Sequence, residues 1–168
     1  MNNFQKIIAV RLRPSDDLRQ ALDNISRENK LSAAAIVSAV GSLSSAAIRL
    51  GTGEVKNLDG PYEIVSLSGT LGRGGMHVHI AVADGHGSTF GGHMLHGCEV
   101  RTTVEIIIHN LSDSYVFERI QDPDTGYKEL QVTSVQESVA RETAVKESVR
   151  EAIKETVKEA VKETVKEA

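Results

Sequence analysis

Cysteine occurs once in this chain, at Cys98, so no intramolecular disulfide can form. Cys98 opens a strand-like run and reads as a small core residue before a nucleophile, with His96 two places earlier keeping the second reading open. No apolar run approaches the roughly 18 residues a membrane-spanning helix needs. The opening MNNFQKIIAVRLRP interleaves charge with its apolar residues and lacks a signal-peptide core, so a cytoplasmic location is expected. An excess of basic charge is missing too: the formal net charge is −4. Residues 1–130 carry 12 basic and 15 acidic side chains, a balance of −3, and residues 131–168 carry 7 and 8, a balance of −1. Strong nonspecific nucleic-acid binding needs lysines and arginines to replace phosphate counterions, and neither part has that surplus. Gly72-Arg73-Gly74-Gly75 lacks the Lys-Ser/Thr of a phosphate loop and reads as a hairpin turn. Ser42, Ser44 and Ser45 have no G-x-S-x-G elbow around them, which leaves serine hydrolysis unsupported.

What is present is concentrated. The stretch LGRGGMHVHIAVADGHGSTFGGHMLHGC, residues 71–98, holds five of the six histidines. Met76, Val78, Ile80 and Val82 recur at every second position, the period of a strand with one buried face. His77 and His79 then share the other face, roughly 6.5–7 Å apart at the backbone, close enough for both rings to reach one ion or ligand. Their same-face followers, Ala81 and Ala83, are small and leave room in front of the rings. His93 is the third candidate and is expected to arrive after a glycine turn at Gly91-Gly92. Three histidines with an open fourth position is the ligand count of a zinc site that receives a substrate or ligand, and nitrogen donors also suit nickel, copper or iron. Spacing alone equally allows histidines that only satisfy hydrogen bonds at a sheet surface or subunit contact. His86, in a turn tip, His96, and His109, at the end of an apolar strand, are weaker candidates.

With 168 residues, 40% hydrophobic and 25% charged, one domain plus an appendage is expected: residues 1–132 and a tail, 133–168. Phe4–Arg13 alternates as a first strand that Pro14 stops. Ser15 is a plausible N-cap for a helix over about Asp16–Asn29, where Leu18, Leu22 and Ile25 form one stripe. Ala34–Val40 and Ala46–Leu50 read as two strands of small residues broken by Gly41, and residues 51–60 as turn-rich. Tyr62–Gly69, Glu99–Ile108 and Tyr115–Ile120 follow as strands, with a turn at Asp122–Gly126. One helix and at least six strands joined by links too short for parallel crossovers give an α+β fold with a mainly antiparallel sheet.

The tail differs in composition. Ser134-Val135-Gln136-Glu137 fits a capping box and should start a helix. Val145, Val149, Ile153, Val157, Val161 and Val165 then recur every four residues, while Glu147, Glu151, Glu155, Glu159 and Glu163 each face a base three places on. A four-residue step advances about 400° on an α-helix, so the stripe drifts about 40° per repeat. A coiled-coil seam needs a period of about 3.5, so a solvated low-complexity helix is expected. A trimer stalk, a strip gripping the same molecule and a weak amphipathic surface are the alternatives.

The order of several blocks resembles the plant and prokaryote conserved, or PPC, domain family. The carrying residues are Arg11-Leu12-Arg13-Pro14, the AAAIVSAVGSLSSAAIRL segment, Gly60-Pro61-Tyr62-Glu63-Ile64 running into SLSGT, His77 and His79, Gly91-Gly92-His93, and TGYKEL at Thr125–Leu130, together covering roughly residues 5–132. The resemblance implies an α+β homotrimer with His77, His79 and His93 as a metal or small-ligand site. A divalent transition metal, zinc first, is the implied cofactor, with Arg49 and Glu63 either as ligand-pocket candidates or as a structural ion pair with each other. The family carries a DNA-binding label, and in plants the domain accompanies AT-hooks. Here the near match Arg11-Leu12-Arg13-Pro14 has leucine where the hook's Arg-Gly-Arg-Pro core needs glycine to enter the minor groove, so no AT-hook is expected and DNA is a doubtful partner. A metal- or anion-binding protein acting through assembly is the leading reading. The alternative is a metal-dependent enzyme that activates water or polarises a carbonyl, with Asp84, Glu99 or Glu105 as base by residue type. A cupin barrel would imitate H-x-H, but the early helix and the thirteen residues between His79 and His93 argue against it.

Overall fold

The computed structural model describes residues 6–166, with side chains described to residue 158; Phe4 and Gln5 of the expected first strand lie outside the described residues. The chain divides into two compact units, Met1–Val132 and Thr133–Ala168. Along the chain come β1 (Lys6–Leu12), α1 (Leu18–Glu28), β2 (Ala33–Arg49), β3 (Val55–Gly72), β4 (Gly75–Ala83), β5 (Thr89–Met94), β6 (Val100–Asn110), β7 (Tyr115–Gln121), β8 (Lys128–Ser134) and α2 (Val135–Lys166). The fold is α+β. Six strands form one sheet in the order β1-β6-β2-β3-β4-β5, and β7 and β8 form a separate two-stranded sheet. Every pairing in the larger sheet is antiparallel, as short links demand. β5 also pairs with the end of β2, so β2, β3, β4 and β5 close on themselves.

α1 forms where Leu18, Leu22 and Ile25 line one face, and all three are buried. Its cap is Asp17, not Ser15, which sits at φ 71 before the helix. One Asp17 oxygen accepts from Gln20 N at 2.8 Å and the other from Gly97 N at 2.6 Å. A carboxylate reaches two backbone donors where a hydroxyl would serve one, which is why the cap falls two residues later. Asp17→Ala is expected to lower the unfolding free energy by about 1–2 kcal/mol, measured by urea denaturation.

Gly41 does not break the small-residue segment; β2 runs through it as one strand of 17 residues. At φ +144 the glycine lets β2 pass so close to β6 that a Cβ there would lie 2.1 Å from the Thr103 carbonyl oxygen. The β2–β6 register shifts between Gly41 and Leu43, so the glycine marks a bulge where the strand bends. Ala33, Ala34, Ala39, Ala46 and Ala47 are buried along the same strand, where neighbouring backbones leave no space for bulk. Likewise β3 begins at Val55, inside the stretch expected to be turns.

The core gathers Leu18, Leu22, Leu43, Ile48, Leu71, Val78, Val82, Met94, Val104, Ile106 and Ile108. Cys98 is fully buried within it, and burial pushes its thiol pKa up, which suits a packing role rather than a nucleophile. Leu12 of the Arg-Leu-Arg-Pro segment is buried as well, and Arg11 Nε donates to Thr103 Oγ1 at 3.1 Å, so those residues are part of β1 packing.

In the second unit, α2 starts with the expected reciprocal cap. Glu137 N donates to Ser134 Oγ at 3.2 Å, and Ser134 N donates to Glu137 Oε2 at 2.9 Å. Val145, Val149, Ile153 and Val157 are each more than half exposed, as a drifting stripe requires, and Lys154 Nζ lies 3.0 Å from Glu151. The side chains of Glu159, Val161, Glu163 and Val165 lie outside the described residues. No helix among the described residues is long and apolar enough to cross a membrane.

Candidate functional site

Val78, Ile80 and Val82 of β4 point into the core at 0–2% exposure, which forces His77 and His79 onto the opposite face. His93 joins them by strand pairing and not through a turn. Gly91 and Gly92 lie inside β5, and His93 stands directly across from His79. A Cβ on Gly92 would sit 2.6 Å from the Arg49 carbonyl oxygen, so this glycine permits close approach of β2 and does not reverse the chain. Across the next pairing His93 faces Arg49, and on the other side His79 faces Ser68. Ser68, His79, His93 and Arg49 therefore form one row across four strands, directly opposed side chains being about 4.5–5.5 Å apart at Cβ. His77 stands two residues along β4.

The three rings converge. Their centroids are 4.9 Å apart for His77 and His79, 5.2 Å for His77 and His93, and 5.7 Å for His79 and His93. One ring nitrogen from each falls within 4.8 Å of the others. His93 Nδ1 is buried without a hydrogen-bond partner among the described residues. A cavity of about 540 Å³ opens in front of the rings, lined also by the turn at residues 51–53, by Arg49 and by Arg119, Tyr127, Lys128 and Glu129.

Burial, followed by the Arg49 guanidinium and the two neighbouring rings, pushes the His93 pKa down to about 4. His77 is lowered by burial and then by Arg119 and His79, with Glu129 opposing. Arg119 Nη2 lies 3.3 Å from His77 Nδ1 and also donates to the Lys128 carbonyl oxygen. A guanidinium cannot accept, so Nδ1 accepts and Nε2 carries the proton in this arrangement. Because the folded, metal-free protein resists protons that its unfolded chain accepts, its stability should decline as pH falls from 6.5 towards 4 and level off once His93 is protonated. Urea midpoints across that window check this, with His93→Gln showing the smaller decline.

The remaining histidines lie elsewhere. His86 is at the β4–β5 hairpin tip, where its backbone N–H and that of Ser88 donate to Asp84 Oδ1, each at 2.9 Å, and hold that carboxyl below its usual range. His96 lies 3.6 Å from Asp17, and His109 pairs across β1 and β2 with Ile7 and Ala35. Arg49 lines the cavity. Glu63 does not: it is exposed on β3, opposite Ser42 and Ala83. Asp84, Glu99 and Glu105 are also outside it, and Glu129 is the one carboxylate among the described lining residues. Nothing in the sequence marks Lys128 and Glu129 beyond the TGYKEL block, since they lie on β8, which its pattern does not predict; Arg119 lies on the predicted strand β7, and only the pairing of β7 with β8 brings it to the cavity.

The sequence profile of the Plants and Prokaryotes Conserved (PCC) domain matches residues 1–112. The chain belongs to the Plants and Prokaryotes Conserved domain family. Two curated proteins from Synechococcus, each named bifunctional protein GlmU, are 46% identical over 132 residues and 44% identical over 134. These matches take in 77% and 79% of this chain but only 21% of each relative's length. Among solved structures, a hypothetical protein from Salmonella cholerae-suis is 38% identical with a TM-score of 0.75, covering 77% of this chain and 94% of that one. A metal-containing protein from Archaeoglobus fulgidus is 30% identical with a TM-score of 0.65, covering 75% and 93%. Structures from Bacteroides thetaiotaomicron and Ralstonia eutropha, provisionally described as DNA-binding, share the PCC fold at 20% and 23% identity.

Proposed function

We propose that this PCC domain is a metal-binding module in which His77, His79 and His93 hold one divalent transition ion, zinc first among the choices. The observation that carries the reading is His93 Nδ1, a buried nitrogen with no partner, in a cluster whose ligand atoms lie within 4.8 Å of one another. A buried polar atom left unpaired costs free energy, and an ion is the partner this donor set suits. The depressed His77 and His93 pKa values keep those rings neutral near pH 7, the form that ligates. The metal-containing description of the Archaeoglobus relative agrees with this. Three nitrogen ligands leave a position open toward the cavity, where zinc would act as a Lewis acid.

The domain's assembly into a homotrimer belongs to the same reading. Val37, Val40 and Val65 are 61%, 53% and 60% exposed on β2 and β3, an apolar surface that partner subunits would cover. The first unit, residues 1–132, carries the site in this reading, and the helical tail is a solvated appendage. A metal-dependent enzyme is the second reading. Glu129 favours it, being the carboxylate placed in the cavity with the rings and thus the available proton acceptor. DNA association has the acidic balance of −4 against it.

Elemental analysis of untagged protein, with sedimentation equilibrium on the same sample, tests the proposal. The expected result is about one metal ion per chain and a mass of three chains. Metal-free protein that fails to take up added zinc, nickel or cobalt removes the metal centre, and a single-chain mass removes the trimer.

A further inference from the structure

The cavity carries more positive charge than a metal site can use. Arg49, Arg119 and Lys128 line it against one carboxylate, Glu129, in a chain whose overall charge is −4. Cations beside a dication weaken its binding by Coulomb repulsion, and a site shaped for metal retention alone would place carboxylates there. The Arg49 guanidinium is also uncommitted, with no hydrogen bond or ion pair among the described residues, although Arg49 stands directly opposite His93. Arg119 is held at its place by the Lys128 carbonyl and keeps its guanidinium against the His77 ring. Arginine's planar fork matches an oxyanion in two-point contact, and a cavity of about 540 Å³ has the size of a small-molecule site.

We propose that the site takes a small oxyanion, a carboxylate or phosphate group on a compact molecule, held between the metal's open position and the guanidiniums of Arg49 and Arg119. The inference rests on the metal reading above and adds the ligand class. The anion supplies the negative charge that balances the ion and the two guanidiniums, so metal and anion strengthen each other's binding. Arg119 has a second part in this. A metal taking His77 through Nδ1 displaces the Arg119 contact, whereas binding through Nε2 moves the ring proton to Nδ1, which then no longer accepts from Arg119; either way Arg119 Nη2 is freed for the anion. In both cases the guanidinium stays beside the ion.

The test uses the full chain loaded with cobalt(II), titrated separately with inorganic phosphate and with acetate. Visible absorption reports the anion at the metal, and calorimetry reports its affinity. The expected result is a spectral change with one or both anions at or below about 1 mM, and the tighter of the two identifies the group. Arg49→Gln and Arg119→Gln should each weaken anion binding at least about tenfold while binding cobalt as tightly as the wild type or more tightly. Arg49 is exposed, so its variant is expected to fold, and retained cobalt verifies that. Metal bound with no response to either anion, or with the same anion affinity in both variants, overturns the inference and leaves the metal centre standing. Wild-type protein that takes up no metal overturns both.

Discussion

Replacing His93 by alanine is expected to cut zinc affinity by more than about a hundredfold, since substitutions of residues that merely orient metal ligands already cost about 10–100-fold. In the proposed centre His93 is the ligand whose nitrogen is buried without an alternative partner. His77 already accepts from Arg119, whereas His93 Nδ1 is buried and unpaired. Alanine leaves two rings on one strand, at the spacing of neighbouring same-face residues, and removes the ligand that strand pairing brings from β5. Competition with a chromophoric chelator measures the change. His96→Ala provides the contrast: that ring lies beside Asp17, away from the cavity, and its loss should leave zinc affinity unaltered. Equal zinc affinity in wild type and His93→Ala would contradict the assignment. If His93→Ala fails to fold, His93→Gln, which keeps bulk and polarity, provides the same comparison.

Gly41→Ala is the substitution expected to damage the fold most. The new Cβ would stand 2.1 Å from the Thr103 carbonyl oxygen and 2.7 Å from the Val104 Cα, both backbone atoms of the central strand β6. No rotamer change relieves a clash between two main chains, and φ +144 is itself a conformation that alanine rarely adopts. Separating β2 from β6 would open the sheet over Val104 and Ile106, both fully buried. Overpacking and backbone strain together put the loss at roughly 3 kcal/mol or more. The denaturant midpoint should drop accordingly. Gly53→Ala, at φ +88 but with nothing within 4 Å of a Cβ, should cost distinctly less, because only the backbone strain remains. Similar midpoints for the two variants would show that close approach of β6 is not the reason for Gly41.

Glycine is also where local reading went astray. Gly41 and the Gly91-Gly92 pair read as a break and a turn, since a glycine met in sequence signals conformational freedom. In the fold, Gly41 and Gly92 serve close approach to Thr103 and Arg49, residues about 40–60 positions away in sequence. The N-cap moved from Ser15 to Asp17 for a related reason: Gly97, far along the chain, supplies the second donor that rewards a carboxylate. Where the deciding partner was local, the reading agreed with the structure. The apolar alternation of β4, the Leu18-Leu22-Ile25 stripe and the Ser134–Glu137 cap all formed as their spacing required.

Sequence by itself determined that His77 and His79 share an accessible face, because a strand alternates its sides and Val78, Ile80 and Val82 must be buried. It also determined the class of fold, through links too short for parallel crossovers, and the change of character at the tail. Only the tertiary structure decided what stands around those two rings. His93 and Arg49 enter the row through inter-strand register, and Arg119, Lys128 and Glu129 through a hairpin folded over the cavity. Register is set by hydrogen bonds and core packing between residues distant in the chain, so no local pattern of side chains encodes which of them will meet.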